Sequence, residues 1–245
     1  MKMVVRRAEI DKGPLRQSHC TVLHWDQGDR GAGNGSGQQE RQPWVEVRQH
    51  GIRYTFDITR VMFSAGNTTE RRRMGRLDTE GETVVDMYTG IGYFTLPLLV
   101  QGRVAHLHAC ELNPDSIAAL RRNLSLNGVS PHRFTIHEGD NLVAASRLRC
   151  TADRVCLGLL PTATRSHSAA VALLRSTGGW LHVHANVHER ERTQWATAMA
   201  AELSAAAREQ GRNWKATVRH VERVKSYAPR VDHLVADVKL EPVKA

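Results

Sequence analysis

Apolar and polar positions change their periodicity along the chain at about residue 83. From Thr83 onward, short apolar runs alternate with stretches whose apolar residues recur every three or four positions, which indicates strands followed by amphipathic helices. Such an alternation predicts a parallel, doubly wound α/β sheet with helices on both faces. The predicted strands have the sequences TVVDMY, VAHLHACEL, FTIHEGD, DRVCLGLLP and WLHVHANV, and the predicted helices are PDSIAALRRNLSLN, residues 166–175 and residues 189–210.

The two ends of the chain have strand-like patterns without helices between them. WVEVRQHGIRYTFDIT alternates apolar and polar positions around a turn near His50 and Gly51, and HCTVLHW is a further predicted strand. The tail WKATVRHVERVKSYAPRVDHLVADVKL predicts an antiparallel hairpin. Residues 26–43 hold five glycines and almost no apolar side chains, which predicts a surface loop. We therefore expect a small β-rich unit over residues 1–76 and a Rossmann-like domain over residues 77–245.

The distribution of charge adds a possible partner to this fold prediction, because most of the net positive charge lies in the first 76 residues. Residues 1–76 carry 14 Lys and Arg against 8 Asp and Glu, a net +6, whereas residues 77–245 carry 20 against 17, a net +3. A basic surface suits RNA, since Lys and Arg neutralise phosphates. The alternative is the base composition of the genome, which could explain part of the excess because 28 of the 34 basic residues are Arg. The four cysteines lack the spacing of a metal site or disulfide framework. No apolar run is long enough for a membrane helix or a signal peptide, so we expect a cytoplasmic protein without membrane association.

Polar side chains follow three successive predicted strands. Asp86 ends the first strand, Glu111 ends the second, and Asp140 and Asn141 follow the third. Parallel strands finish at a common edge of their sheet, so these side chains are expected to surround one crevice. A carboxylate at the position of Glu111 can accept hydrogen bonds from both hydroxyls of a ribose, and the pair after the third strand could bind an adenine edge. The spacing predicts a nucleoside site.

The loop after the first strand indicates which nucleoside cofactor is bound. Gly90 and Gly92 let the backbone approach a ligand closely. A dinucleotide-binding loop would have a third glycine at the position of Thr95, and Asp86 would repel a pyrophosphate. S-adenosylmethionine (SAM) has no phosphate, and its sulfonium and ammonium groups are attracted by carboxylates. The predicted cofactor is therefore SAM.

At this point the chain resembles a known family. FSAGNTTERRR, VDMYTGIGYFTLP, ACELNPDSIAALRRNLSLNGV and EGDN resemble the class I SAM-dependent enzymes that modify the purine beside the tRNA anticodon. One branch contains the tRNA guanine-N1 methyltransferases, and the other contains wybutosine-synthesis enzymes that transfer the 3-amino-3-carboxypropyl group of SAM. The predicted fourth strand ends in LGLLP where the methylating branch has an ending of the Asn-Pro-Pro type. LGLLP, GGWLHVHANV and VKSYAPRVDH resemble the transferase branch.

The resemblance implies a Rossmann-like class I SAM-dependent methyltransferase fold and a specific reaction. In that reaction the aminocarboxypropyl group is transferred to 4-demethylwyosine at position 37 of tRNA(Phe), and methylthioadenosine is released. Two alternatives remain open from the sequence, namely a guanine-N1 type tRNA methyltransferase and a tRNA-binding relative without catalytic activity. No heptad or long apolar face indicates an oligomer, so a monomer is expected.

The resemblance also assigns residues. Its cofactor contacts fall on Ser64, Arg71, Glu111, Asp140 and Asn141. Arg71 is the most informative of them, because a cation there could hold the cofactor carboxylate in a charge-assisted pair. The alternative is that Arg71 belongs to a solvated basic run over residues 71–73.

Few residues are assigned to roles other than cofactor binding. Asn186, near the end of the fifth predicted strand, and Pro161, which closes LGLLP, are expected to line the pocket for the acceptor base. His182 and His184 share one face of that strand with His188 beyond them, but no thiol or carboxylate completes a metal site, so no metal is predicted. No residue is assigned as the base that deprotonates the acceptor.

Overall fold

The computed structural model describes residues 3–6, 20–25 and 43–243 of the chain. Its strands are β1 (Met3–Arg6), β2 (Thr21–Trp25), β3 (Trp44–Gln49), β4 (Ile52–Asp57), β5 (Thr83–Asp86), β6 (His106–Glu111), β7 (Phe134–Glu138), β8 (Arg154–Leu157), β9 (Gly179–His188), β10 (Trp214–Ala228) and β11 (Val231–Pro242). Its α-helices are α1 (Thr68–Met74), α2 (Thr95–Val100), α3 (Pro114–Leu126), α4 (Asn141–Arg147), α5 (His167–Leu173) and α6 (Arg192–Glu209). The loop predicted over residues 26–43 lies, except for its last residue, outside the described residues.

Within the described residues, a seven-stranded sheet forms the centre of the fold. Its order is β10-β11-β9-β8-β5-β6-β7, with β5 to β9 parallel and β11 antiparallel to both β9 and β10. The doubly wound sheet and its C-terminal hairpin are therefore confirmed. Helices α1, α2 and α3 pack on one face, and α4, α5 and α6 pack on the other, which gives two apolar clusters separated by the sheet.

The front hairpin of β3 and β4 shares its core with the sheet. Ile52, Tyr54 and Phe56 of β4 are buried in the same apolar cluster as α2 and α3. The predicted turn is confirmed, since His50 and Gly51 both have positive φ, 51° and 79°, as a two-residue hairpin loop requires. Strands β1 and β2 pair separately from this hairpin. The division of the chain at residue 76 stays a prediction.

Three short helices are absent from the sequence prediction. Helices α1 and α4 each span seven residues and α2 spans six, and none of them is long enough to show a clear amphipathic period. Helix α4 begins where Asp140 accepts a hydrogen bond from the Leu142 N–H, so the residue assigned to the cofactor is also a helix cap. No helix in the described part of the chain has the length and apolar character needed to cross a membrane.

Candidate functional site

A cavity of about 240 Å³ lies at the carboxyl ends of the parallel strands. It is bounded by the loops that follow β5, β6, β7 and β8 and by the segment that precedes α1. Five of the residues assigned from the sequence line it, namely Ser64, Gly90, Glu111, Asp140 and Asn141. The described structure therefore gathers residues from four separate segments into one crevice.

Glu111 is held by backbone donors at the end of β6. Its carboxylate accepts hydrogen bonds from the N–H groups of Gly90 at 2.7 Å, Leu112 at 3.0 Å and Asn113 at 2.8 Å. Burial raises the pKa of Glu111, and the three backbone hydrogen bonds oppose that rise. An ionised carboxylate has about four acceptor sites, so this one keeps acceptor capacity toward the cavity.

Of the two glycines in the loop after β5, one lines the cavity and the other packs against the core. Gly90 lines the cavity with a φ of 56°, whereas a Cβ atom on Gly92 would contact Leu96 and Leu120 at about 3 Å, inside the core. Positive φ explains both glycines, because other residues adopt that conformation at a cost. Gly92 therefore shapes the loop and does not line the cavity, and its assignment as a cofactor contact stays a prediction.

Asp86 also lies behind the cavity wall. Its carboxylate accepts hydrogen bonds from the Thr95 hydroxyl at 2.9 Å and from the Tyr88 N–H at 3.3 Å. Burial raises the pKa of Asp86 to about 6, although these hydrogen bonds oppose the rise. The Asp86 carboxylate therefore supports the glycine loop and does not line the cavity, and a contact of Asp86 with the cofactor stays a prediction.

Asp140 and Asn141 lie together at the start of α4. Asp140 is exposed and forms an ion pair with Arg165 at 3.1 Å, while the buried Asn141 amide donates to the Met87 carbonyl at 2.9 Å. The carboxylate of Asp140 retains oxygen lone pairs that could accept from an exocyclic amine. This arrangement fits the predicted adenine-binding end of the site.

Arg71 does not line the cavity itself but contacts Ser64, which does. It is 1% exposed, and its guanidinium donates to the Ser64 carbonyl at 2.9 Å and to the Gln49 side chain. Its Cζ atom lies 5.3 to 5.7 Å from the ring centroids of Tyr54, Phe63 and Tyr93. The alternative of a solvated basic run is therefore wrong for this residue.

The charge of Arg71 is not balanced by a nearby acid. Within the described residues no carboxylate pairs with it, and its Nε atom is buried without a hydrogen-bond partner. Burial lowers the pKa of Arg71, and the neighbouring Tyr54 and Tyr93 only partly oppose this. A buried cation without an acid partner is costly, so a carboxylate ligand at the Ser64 end of the cavity would be stabilised there.

The loop after β8 forms an apolar wall. Gly158, Leu159 and Leu160 line the cavity, and a Cβ atom on Gly158 would lie 3.0 Å from the ring of Phe94. Pro161 is exposed just beyond this wall and does not line the cavity. A side chain at position 158 would require Phe94 to move, which explains why glycine occupies the position.

Pro161 and Asn186 lie next to each other, but neither lines the cavity, so their assignment to the acceptor base stays a prediction. The Asn186 N–H donates to the Pro161 carbonyl at 2.8 Å. Both polar atoms of the Asn186 side-chain amide are buried without a partner in the described structure. An unsatisfied buried amide is a candidate contact for a polar ligand.

Several residues that line the cavity were not assigned to the site from the sequence, among them Asn67, Tyr88, Phe94 and Arg165. Tyr88 and Phe94 lie within the glycine loop, and Asn67 lies within FSAGNTTERRR, so their nearness to assigned residues is a usable signal. Arg165 lies in a segment that shows no motif, so only the folded structure reveals it.

The histidines of β9 are engaged in other contacts. His182 lies between Asp237 at 2.6 Å and Arg154 at 2.7 Å, and the His184 Nδ1 atom lies 2.9 Å from the Nε2 atom of His233. Among the residues that the structure describes, no group of three or more His, Cys, Asp or Glu is arranged to hold a metal ion.

Comparison with known proteins adds the family. The profile described as "TRM5/TYW2 methyltransferase domain" matches residues 45–211. The chain is 44% identical over 236 residues to tRNA wybutosine-synthesizing protein 2/3/4 of Arabidopsis thaliana, covering 96% of this chain and 22% of that protein. It is 44% identical over 223 residues to the tRNA wybutosine-synthesizing protein 2 homolog of Danio rerio, covering 78% of this chain and 54% of that protein.

Solved structures agree with the sequence comparison. M. jannaschii TYW2, solved in complex with AdoMet, superimposes with a TM-score of 0.76 at 27% identity and covers 92% of this chain and 91% of its own. The chain spans 22% and 54% of the lengths of the two curated relatives above. The profile match extends over more than half of the chain and includes the glycine loop, Glu111 and the wall after β8. The chain belongs to the TRM5/TYW2 methyltransferase-domain family.

Proposed function

We propose that this chain binds SAM and transfers its 3-amino-3-carboxypropyl group to 4-demethylwyosine at position 37 of tRNA(Phe). The acceptor carbon forms a bond to the methylene next to sulfur, the carbon–sulfur bond breaks, and methylthioadenosine leaves with the electron pair. The acceptor carbon then loses its proton to water. One observation carries the proposal. Glu111 and Asp140 line the cavity, and the buried guanidinium of Arg71, which has no acid partner within the described residues, donates to the carbonyl of Ser64 in the cavity wall.

The residues offer a partner for each part of SAM. Glu111 would accept from the ribose hydroxyls, and Asp140 with Asn141 would bind the adenine edge. Arg71 and the Ser64 segment would hold the amino-acid end. The similarity to M. jannaschii TYW2, whose structure contains AdoMet, supports this assignment.

Alignment is the main task of these residues in catalysis. Bound SAM supplies a sulfonium, which is already an activated leaving group, so little acid catalysis is required. Three backbone donors hold the Glu111 carboxylate in place. Aromatic rings enclose the Arg71 guanidinium, so both groups are held rigidly. Rigid positioning of the reacting atoms can supply much of the rate.

The wall after β8 favours aminocarboxypropyl transfer over methylation of guanine. Gly158, Leu159 and Leu160 offer the acceptor no side-chain amide or carboxylate. A clamp for a guanine edge needs such a group, whereas an apolar wall suits a larger tricyclic ring. A side chain at position 158 would require the Phe94 ring to shift by a few tenths of an ångström.

A parallel assay with two labels tests the reaction. The protein is incubated with tRNA(Phe) that carries 4-demethylwyosine and with SAM labelled either in the carboxyl group or in the methyl group. We expect carboxyl label in the tRNA and methyl label in methylthioadenosine, with no methyl transfer to unmodified tRNA. S-adenosylhomocysteine with methylated guanosine would contradict the proposal in favour of the methyltransferase. Binding of tRNA without transfer of either label would indicate the non-catalytic relative.

Glu111→Ala should weaken SAM binding by about 1.5 to 3 kcal/mol, roughly 10- to 150-fold, because it removes hydrogen bonds to a charged acceptor. Calorimetric titration with SAM measures the effect. Glu138→Ala is the matched control, since Glu138 ends the neighbouring strand β7 and forms an exposed ion pair with Arg121. A dissociation constant for Glu111→Ala equal to that of the control would remove Glu111 from the site.

The proposed setting is the cytoplasm, with the protein acting as a monomer on tRNA. All four cysteines are free thiols, which is the usual state in a reducing compartment. Large apolar side chains that are exposed in the described residues, such as Val100, Val143 and Val243, come from separate elements. Light scattering at assay concentration should therefore give the mass of one chain.

A further inference from the structure

Lys225 lies on β10 against the segment that leads into α1. A Cβ atom built on Gly66 would lie only 2.6 Å from the Lys225 Nζ atom, so the ammonium group occupies space that a side chain would need. Ser64 and Asn67, on either side of Gly66, line the cavity. The half-buried lysine therefore lies at the edge of the candidate site.

No acid neutralises this lysine within the described residues. Arg223, on the same strand, pairs with Asp232 at 2.8 Å, but no carboxylate lies at ion-pair distance from Lys225. Burial and the charge of Arg71 lower the pKa of Lys225. His233, its cross-strand partner on β11, has a pKa lowered to about 4 by burial and by Lys225, so it is neutral at pH 7. Two cations without an anion would both be stabilised by a bound anion.

An exposed aromatic ring lies two positions further along β10. Tyr227 is 59% exposed, the largest exposed fraction among the bulky apolar side chains that the structure describes. The register between β10 and β11 shifts between Ser226 and Ala228, so Tyr227 occupies a β-bulge. Bulges redirect side chains and are frequent beside active sites. The tyrosine ring is thus available to a ligand near the lysine.

We propose that Lys225 and Tyr227 form a binding surface for single-stranded RNA, in which Lys225 binds a backbone phosphate and Tyr227 stacks on an unpaired base. A cation beside an exposed aromatic ring is the combination that binds single strands, because each nucleotide offers a phosphate and a π-face. Duplex RNA keeps its bases stacked on each other and offers the ring no partner. The identity of the RNA rests on the proposed function, under which it would be the tRNA loop that carries the acceptor base.

The phosphate contact is tested through the salt dependence of binding. The full chain is titrated with an anticodon stem–loop RNA at several salt concentrations, by fluorescence anisotropy. Lys225→Gln should reduce the slope of log affinity against log salt by about 0.7, the value for one phosphate of a single strand. Lys215→Gln, an exposed lysine at the other end of β10, is the matched control and should leave the slope unchanged. Equal slopes for the two variants would overturn the phosphate contact.

The stacking contact is tested with two variants at Tyr227. Tyr227→Ala should weaken binding of the stem–loop by about 5- to 150-fold, the range for loss of one base–aromatic stack, while Tyr227→Phe should keep the affinity. An equal loss for both variants would contradict stacking. Binding of fully duplex RNA with the same affinity and the same sensitivity to Tyr227→Ala would contradict single-strand recognition.

Cofactor binding separates this proposal from the proposed function. Calorimetry with SAM should give the same dissociation constant for wild type and Tyr227→Ala, because the tyrosine side chain does not line the cavity. A wild-type chain that fails to bind SAM but shows the expected RNA effects would contradict the proposed function and support the RNA surface. Normal SAM binding by the wild-type chain, with no change in RNA affinity in either variant, would support the proposed function and contradict the RNA surface.

Discussion

Arg71→Met should lower the affinity for SAM by about 2 to 5 kcal/mol, roughly 30- to 5,000-fold, because it removes one partner of a buried charge pair. The same change should leave the affinity for methylthioadenosine nearly unaltered, since that nucleoside has no carboxylate. Methionine keeps the apolar stem against the rings of Tyr54, Phe63 and Tyr93. Competitive titration with both ligands measures the two affinities on one sample.

Arg71→Lys is the matched control for this prediction. Lysine keeps the positive charge but loses the planar fork that donates to Ser64 and Gln49, so it should retain more SAM affinity than methionine. If Arg71→Met weakens methylthioadenosine as much as SAM, the arginine acts by shaping the segment before α1. In that case the carboxylate contact would have to be assigned elsewhere.

The sheet could be predicted from the sequence because its pattern is local. Strand and helix periodicities are visible in one chain, and parallel strands deliver their last residues to a shared edge. This is why Gly90, Glu111, Asp140 and Asn141 do line one cavity. Helix α1 has no such pattern, because its seven residues include three consecutive arginines.

The direction in which a side chain points could not be predicted. Asp86 and Glu111 both end buried strands of the same sheet, yet only Glu111 faces the cavity. The difference depends on Thr95, whose hydroxyl reaches back to Asp86 from the start of α2, and on the N–H groups that surround Glu111. Contacts of this kind join residues that are apart in sequence. The position of a residue on a strand therefore does not show whether its side chain supports a loop or binds a ligand.

Counting charges likewise could not separate the three arginines of α1. Arg72 is exposed, Arg71 is enclosed by aromatic rings, and Arg73 is largely buried between carboxylates. Part of the positive charge counted at the front of the chain is therefore internal. Such charge stabilises the fold or a ligand and adds little to an RNA-binding surface.

Arg73 belongs to a chain of polar contacts that joins α1 to the sheet. Its guanidinium pairs with Glu70 at 2.8 Å and with Asp237 of β11 at 2.6 Å. Asp237 also accepts from His182, whose other ring nitrogen faces the guanidinium of Arg154 at 2.7 Å. Burial lowers the pKa of His182 despite Asp237, so the ring is neutral, donating to Asp237 and accepting from Arg154.

Asp237→Ala should lower the free energy of unfolding by about 3 to 5 kcal/mol, because it leaves the Arg73 cation largely buried without one of its two acids. Urea denaturation followed by circular dichroism measures the change. Glu241→Ala is the matched control on the same strand, since the ion pair of Glu241 with Arg219 is exposed and should contribute at most about 1 kcal/mol. Similar losses for the two variants would show that the buried contacts of Asp237 do not stabilise the fold.

Acidification gives this prediction a second readout. Burial alone would raise the pKa of Asp237, but hydrogen bonds from His182 and Arg73 outweigh it and hold the pKa below its usual range. The folded state therefore binds this proton more weakly than the unfolded state, whose carboxyl titrates at about pH 4. The stabilisation is fully present above that pH and is lost as the pH falls toward the folded pKa. The difference between wild type and Asp237→Ala should thus narrow below about pH 4, and a constant difference would contradict an ionised Asp237.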